Sequence, residues 1–512
     1  MFDTVTIIAS LRTLLREPHK QESMAPLLAL AGDSGVYLLG TAAIGLANFI
    51  LVPLYTRSLK PADFGIYALL DITILILVAA TQLGFNVSYL KWFADLDFAR
   101  RGELLGSVLV VGATVAGIGG ALLTLAAGSP LGQYWLQTEQ RSFAWMLLPL
   151  VVLENVQALF LSDLRARRRA AAYSLSAVLR LLAIVAASVW FVAVRQQGIH
   201  GIFLGRLVGD AVGVFVSALL CLPATRLRFN KAVVTPMVAY GLPLAWATLM
   251  VLLMDASGRY FLSRYGSLDQ VGFYGAAIKI SGLFQMLIYQ PFGVAWGGFL
   301  FQIAKQPHAR LIYSKVLAYL LIVSLSVALA FALMAPALFV IFAPTTYLPA
   351  MTVFPLILLT RAVNVLEYPA AVSLYLADRT SSFALIYSVG PVINICANYF
   401  LVPRNGMFGA AWSWLAAWVA IIILMAGVGQ RHYRLDYDWR FLLLAILPGG
   451  LLLLGPHRLI PGLSHLSWPA QAAFGCGILF AAILLLARDF QITRGRLQSD
   501  AQPSAALAGD GR

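Results

Sequence analysis

The sequence predicts an all-α polytopic membrane protein with about fourteen transmembrane helices. It forms two parallel six-helix lobes around a central cavity, followed by two C-terminal helices. Three observations carry this reading: the composition, the length of the apolar runs, and an ordered internal duplication. Of 512 residues, 60% are hydrophobic and only 11% charged, with a mean hydropathy of +0.83. A soluble domain carries roughly 25% charged residues. The apolar runs repeatedly reach the ~20 residues a helix needs to cross about 30 Å of hydrocarbon. A transmembrane barrel would instead alternate in polarity over segments of about ten residues, a pattern the sequence lacks.

Taken in order, residues 1–34 form a cytoplasmic N-terminal segment. No signal-peptide h-region is visible in it. Ile7, Ile8, Leu11, Leu14 and Leu15 share one helical face beside Arg12 and Arg16, which predicts an interfacial helix. The N-lobe, 35–222, holds spans near 35–56, 64–90, 104–128, 142–161, 172–194 and 199–221. A cytoplasmic linker, 223–235, leads to the C-lobe, 236–430, with spans near 236–258, 271–300, 312–334, 349–377, 382–402 and 408–429. Residues 431–487 carry two more, near 441–456 and 470–487. The polar stretch 488–512 reads as a disordered cytoplasmic tail.

The net charge of +14 is distributed by topology and does not form a nucleic-acid surface. With the N-terminus inside, 24 of the 36 cations fall in cytoplasmic segments. The outward loops hold eight: Arg57, Lys60, Arg141, Arg195, Arg259, Arg264, Arg404 and Arg458. Both termini are therefore expected in the cytoplasm. Cys221, Cys396 and Cys476 lie at unrelated spacings and suggest neither metal site nor disulfide.

The duplication joins FGIY at 64–67 to VGFY at 271–274, and Arg57 to Arg264, both at an offset of 207. It continues with Leu153-Glu154 and Leu366-Glu367, YSLSAV at 173–178 and YSVGPV at 387–392, and GIHG at 198–201 and GMFG at 406–409. Six spans per half put both halves in the membrane in the same sense, related by an axis along the membrane normal.

Gly40, Pro53, Thr56-Arg57, Leu59, Pro61 and Phe64-Gly65-Ile66-Tyr67 compose the most distinctive stretch, echoed at Gly272-Phe273-Tyr274. With the two-lobe plan, this stretch resembles the oligosaccharide flippase (Wzx-type polysaccharide transport) family of the multidrug/oligosaccharidyl-lipid/polysaccharide (MOP) exporter superfamily. The resemblance implies a bacterial inner-membrane protein that moves a polyprenyl-pyrophosphate-linked oligosaccharide to the periplasmic leaflet by alternating access. It also implies a polysaccharide polymerase and a chain-length regulator as partners, besides the membrane lipids. On the residues themselves, Pro53 loosens the end of span 1 and Thr56 bonds a freed carbonyl. Asp63 caps span 2, Gly65 permits close helix approach, and Tyr67 suits the membrane interface. For Arg57 and Arg264, a tight outward hairpin and direct substrate contact both stay open.

Within the spans lie four cations, Arg180, Arg206, Lys279 and Arg361, and five acids, Asp71, Glu154, Asp210, Asp255 and Glu367. At roughly 3 kcal/mol each, nine charges facing lipid would cost about 25 kcal/mol, more than a typical net stability of about 5–15 kcal/mol. Most must border water or one another. Guanidinium and ammonium groups suit a pyrophosphate headgroup, with Arg180, Lys279 and Arg361 the first candidates and Arg206 a further one. Arg206 and Asp210, four apart, are expected to pair along span 6, and Asp255 to pair with Arg259. Asp71, Glu154, Asp255 and Glu367 are candidates for binding a coupling proton or sodium ion. Gln82, Asn86, Gln285, Gln290, Asn364, Trp296 and Tyr368 are candidates for contact with sugars.

A peptidoglycan-precursor flippase and a cation-coupled multidrug antiporter share this plan and remain alternatives. A membrane glycosyltransferase, ligase or polymerase is disfavoured, because no outward loop is large enough for a catalytic site. No Walker A, nucleotide loop or HExxH pattern occurs, so neither catalysis nor a cofactor is expected.

Overall fold

The computed structural model describes residues 45, 49–95, 98–129, 143–225, 228–304, 306, 308–377 and 380–435, with single positions at 450, 470, 473, 474, 477 and 484. The expected interfacial helix, most of span 1, the loop with Arg141, spans 13 and 14 and the tail lie outside the described residues.

The first half comprises α1 (Val52–Ser58), α2 (Pro61–Thr81), α3 (Phe85–Asp95), α4 (Phe98–Gly128), α5 (Ala144–Ala166), α6 (Ala170–Ser188) and α7 (Gly198–Cys221). The second comprises α8 (Lys231–Tyr265), α9 (Leu268–Phe284), α10 (Gln290–Ile303), α11 (Ala309–Leu333), α12 (Ala335–Phe342), α13 (Pro349–Asn364), α14 (Glu367–Ala370), α15 (Val372–Leu376) and α16 (Thr380–Gln430). No strand occurs among the described residues. Ten segments are long and apolar enough to cross a bilayer. They correspond one to one with spans 2–10, while spans 11 and 12 run together as 382–430, broken at Gly406.

Local chemistry explains the helix starts. Pro61 opens α2, where a missing N–H leaves no intrahelical bond unmade. Asp63 therefore sits inside the first turn and makes no cap hydrogen bond, contrary to expectation; it faces the positive end of the helix instead. Ser267 caps α9 by accepting from the Gln270 N–H, and Asn230 caps α8 by accepting from that of Ala232. A π-helical stretch, Gln285–Tyr289, joins α9 to α10.

Each half packs mainly on itself: α4 on α5, α5 and α6 on α7, then α8 and α13 on α16, and α9 and α11 on α13. Helix α2 joins the halves, lying against both α8 and α9. The repeated Gly-x-Tyr signal explains how. A Cβ on Gly65 would stand 2.3 Å from the Leu268 carbonyl oxygen, and one on Gly272 would stand 1.9 Å from that of Pro61. Pro61 and Leu268 are themselves 207 residues apart, so the contact is self-complementary about the pseudo-twofold axis. The Gly-x-x-Gly pairs repeat a backbone device too. Gly198 (φ +55°) and Gly406 (φ +53°) both take a positive φ that glycine alone adopts readily. The next glycines, Gly201 and Gly409, then press on the preceding helix at Phe191 and Leu401.

At the other end of α2 a second backbone contact closes. Gly84 (φ +70°) lies so near Gly241 that a Cβ would meet its carbonyl oxygen at 2.1 Å. Near the Pro61 end, the last residues of α12 and the segment after it reach the other half. The Thr56 hydroxyl is shared between the Val52 and Phe342 carbonyls, at 2.9 and 2.7 Å. Arg57 donates to the Ile341 carbonyl at 3.2 Å, and the Tyr347 hydroxyl donates to that of Leu59 at 3.0 Å. The Pro53–Tyr67 stretch is thus a cross-half latch as well as a hairpin.

Candidate functional site

Between the halves, and between the two glycine contacts, lies a cavity of about 550 Å³ lined by both lobes. Its polar wall comes from α2 (Asp71), α5 (Glu154, Gln157), α6 (Arg180), α7 (Arg206), α8 (Asp255, Arg259), α9 (Lys279), the π-helical stretch (Gln285), α10 (Gln290) and α13 (Arg361). All three first-choice cations are therefore brought together, as are three of the four candidate coupling acids.

Five of these charges, with Asp210 behind them, form one chain. Lys279 donates to Asp71 at 2.8 Å. The other Asp71 oxygen accepts from Arg206 at 2.7 Å, and Arg206 also grips Glu154 through Nε at 2.8 Å and through Nη2. Arg180 reaches Glu154 at 3.6 Å and holds the fully buried Asp210 at 2.7 Å. Arg206 and Asp210 are thus not partners. Although one turn apart, each pairs with neighbouring helices instead, Arg206 with Asp71 and Glu154, and Asp210 with Arg180. The chain holds three cations and three acids. It is internally neutral, and it crosses from the second half (Lys279) to the first (Asp71).

The opposite wall differs. Arg259 belongs to α8, which runs seven residues past the predicted end of span 7. It is a cavity cation, not a loop cation as the sequence count had it. Its expected partner Asp255 is present, with a closest approach of 3.8 Å. Arg361 donates from Nε to Ser281 at 3.4 Å, and its guanidinium lies 4.6 Å from the ring centre of Trp414. Among the described residues no carboxylate stands within ion-pair distance of it. Five cations and three acids line the cavity, so its wall is net positive.

The remaining candidates lie elsewhere. Glu367, the repeat counterpart of Glu154, is buried behind the cavity where α13 breaks into α14. The hydroxyls of Tyr289 and Tyr387 donate to it, and Asn364 donates at 3.5 Å. Trp296 donates to the Tyr368 carbonyl at 3.1 Å and stacks on Phe292; Tyr368 packs against Tyr289 and Phe292. Gln82 and Asn86 flank the Gly84 contact. Arg57 is in the latch, and Arg264 lies over the Tyr265 ring at the end of α8. Tyr67 is not at the membrane surface. It is buried on the cavity wall, 5.4 Å beneath the Lys279 ammonium. Sequence reasoning missed Arg259 and Trp414. Arg259 read as a loop cation just past the end of span 7, and nothing set Trp414 apart from the other tryptophans.

Two all-helical halves thus meet at one charged cavity. The chain belongs to the polysaccharide biosynthesis protein family, whose family model matches residues 30–296. In fold it is similar to the lipid II flippase MurJ in an inward closed conformation. The TM-score is 0.70 at 10% identity, over 89% of this chain and 99% of that one. It is also similar to an inward-facing multidrug resistance MATE family transporter of the MOP superfamily. There the TM-score is 0.62 at 16% identity, over 77% of this chain and 97% of that one. No curated protein matches the chain in sequence.

Proposed function

We propose that the protein is a flippase for a polyprenyl-pyrophosphate-linked oligosaccharide, an O-antigen, capsule or exopolysaccharide repeat unit. It would carry its cargo from the cytoplasmic to the periplasmic leaflet of the bacterial inner membrane, with both its termini in the cytoplasm. The observation that carries this is the excess of cations on the cavity wall at bilayer depth. An isolated charge there is expensive, so a standing positive excess suits an anionic cargo. It argues against a cationic drug as cargo. The family match supports a polysaccharide cargo over the lipid II that MurJ's name records.

The cycle follows from the groups present. The anionic headgroup enters the cavity, while the polyprenyl tail stays in lipid. Gln285 and Gln290, on the lining, offer amides to the first sugar. At about 550 Å³ the cavity is the size of a site for one small ligand, so the captured state seats the headgroup and not the whole glycan. Opening then requires one glycine contact to part while the other holds. The Asp71–Lys279 bond and the latch at Thr56, Arg57 and Tyr347 all cross the halves, so they report that motion. Among the four coupling acids, Asp71, Glu154 and Asp255 each face a cation across the cavity wall. Glu367 faces hydroxyl and amide donors, which makes it the acid best suited to carry a coupling proton.

Complementation of a flippase-null strain tests the reading. Wild-type protein should restore surface glycan and clear the lipid-linked intermediate. Arg361→Ala should insert normally and fail to do so. Surface glycan at wild-type level in the Arg361→Ala strain removes that residue from the mechanism. No rescue by the wild type with any lipid-linked glycan removes the reading itself.

A further inference from the structure

The charged groups in the cavity do not contribute equally to its positive character. The Lys279–Asp71–Arg206–Glu154–Arg180–Asp210 chain is balanced, and each of its cations already donates to a carboxylate at 2.8 Å or less. The imbalance sits on the wall made by α8 and α13. There Arg259 makes no hydrogen bond to protein among the described residues, and its Nε is buried without a partner. Asp255, the carboxylate it approaches, leaves Oδ1 buried and unpartnered as well. Arg361 uses only Nε, leaving both terminal nitrogens unbonded to protein. Both arginines are more than nine-tenths buried and line the same cavity. They also lie within electrostatic range of each other.

A buried guanidinium with unmade hydrogen bonds is costly, and two beside one carboxylate repel each other as well. An oxyanion removes both penalties at once, because phosphate oxygens match the guanidinium fork. The Trp414 ring, 4.6 Å from the Arg361 guanidinium, backs that fork on one face.

We propose that Arg259 and Arg361 form the oxyanion seat for the diphosphate group, and that the Lys279–Arg206–Arg180 chain does not bind it but ties the lobes together. This rests on the flippase reading and deepens it. Arg259 becomes a substrate-contacting residue, and Lys279 a positioning one. On seating, the diphosphate takes the free N–H groups of both arginines, and Asp255 loses its hold on Arg259.

Binding to the purified full-length protein in detergent tests this, with two probes titrated separately by calorimetry: inorganic pyrophosphate and a short-chain polyprenyl pyrophosphate. Both should bind the wild type. Arg259→Gln and Arg361→Gln should each weaken both by about tenfold to a hundredfold, the loss of one or two charge-assisted hydrogen bonds. Arg259→Lys, which keeps the charge and loses the fork, should fall between. Lys279→Gln should bind within about threefold of wild type although its export is lost, a split that a shared cation cluster would not give.

The seat is overturned by a wild type that binds neither probe, or by Arg259→Gln binding as wild type. It is equally overturned if Lys279→Gln weakens binding as much as Arg361→Gln does. Should only inorganic pyrophosphate depend on Arg259, the site takes free anion and the lipid-headgroup assignment falls. Arginine-dependent binding of both probes by a protein that rescues no flippase-null strain would keep the seat and sink the flippase reading instead.

Discussion

Lys279→Ala removes the one member of the ion-pair chain that comes from the second half. The variant loses a charge-assisted hydrogen bond of 2.8 Å to Asp71, worth about 1.5–3 kcal/mol. Breaking a buried pair by truncating one partner costs about 3–5 kcal/mol. Arg206 remains on Asp71 at 2.7 Å, so the lower end, about 3 kcal/mol, is expected. Asp71→Asn is harsher, because it strips a counter-charge from both Lys279 and Arg206; about 4–5 kcal/mol is expected there. The double variant Asp71→Asn/Lys279→Ala has no stranded ammonium, so the two losses should not add. A coupling energy of about 2–3 kcal/mol is expected. Equilibrium unfolding in mixed micelles measures it, with surface-glycan export read on the same four proteins. Both single variants should reach the membrane and fail to export. Additive losses, with a coupling energy below about 0.5 kcal/mol, would refute the claim that Asp71 and Lys279 form a bond between the lobes.

Three further outcomes are expected. Gly272→Ala forces a Cβ onto the Pro61 carbonyl. It should destabilise by about 1–3 kcal/mol, whereas Gly297→Ala, where nothing lies within 4 Å, should be neutral; thermal unfolding compares them. Thr56→Val with Tyr347→Phe removes two cross-half hydrogen bonds. Amide exchange over residues 341–348 should then accelerate about tenfold or more, from about 1 kcal/mol per bond, and unchanged exchange would show that the latch carries no strain. Glu367→Gln should leave export slower but no longer sensitive to a protonophore. A variant that stays as sensitive as wild type would take Glu367 out of coupling.

The architecture was legible because its determinants are local or periodic. Apolar length marks a span, and a span has one way to satisfy its backbone in lipid. The duplication was legible for a similar reason: Gly65 and Gly272, or Gly198 and Gly406, are glycines because the same close approach or positive φ occurs twice. The pairing of buried charges was not legible. Arg206 and Asp210 sit at an attractive helical spacing, but which carboxylate an arginine finds depends on how α2, α5, α6 and α7 meet, and no spacing along one helix encodes that. The end of α8 shows the same limit from the other side. A charged pair at 255 and 259 reads as a helix terminus until the cavity that hydrates it is known. Residues whose role is to be near another lobe, such as Tyr67 and Trp414, carry no periodic signature at all.

The self-complementary meeting of Gly65 and Gly272 has a mechanical consequence. Because the pair lies on the symmetry axis with no side chains between, the two helices can tilt against each other there like crossed rods, with little sliding and no rotamer to rearrange. Displacement then grows with distance along α2, and is largest near Gly84, where the other backbone contact must release. One fulcrum on a helix, and one clasp just past its far end, are the parts of a lever.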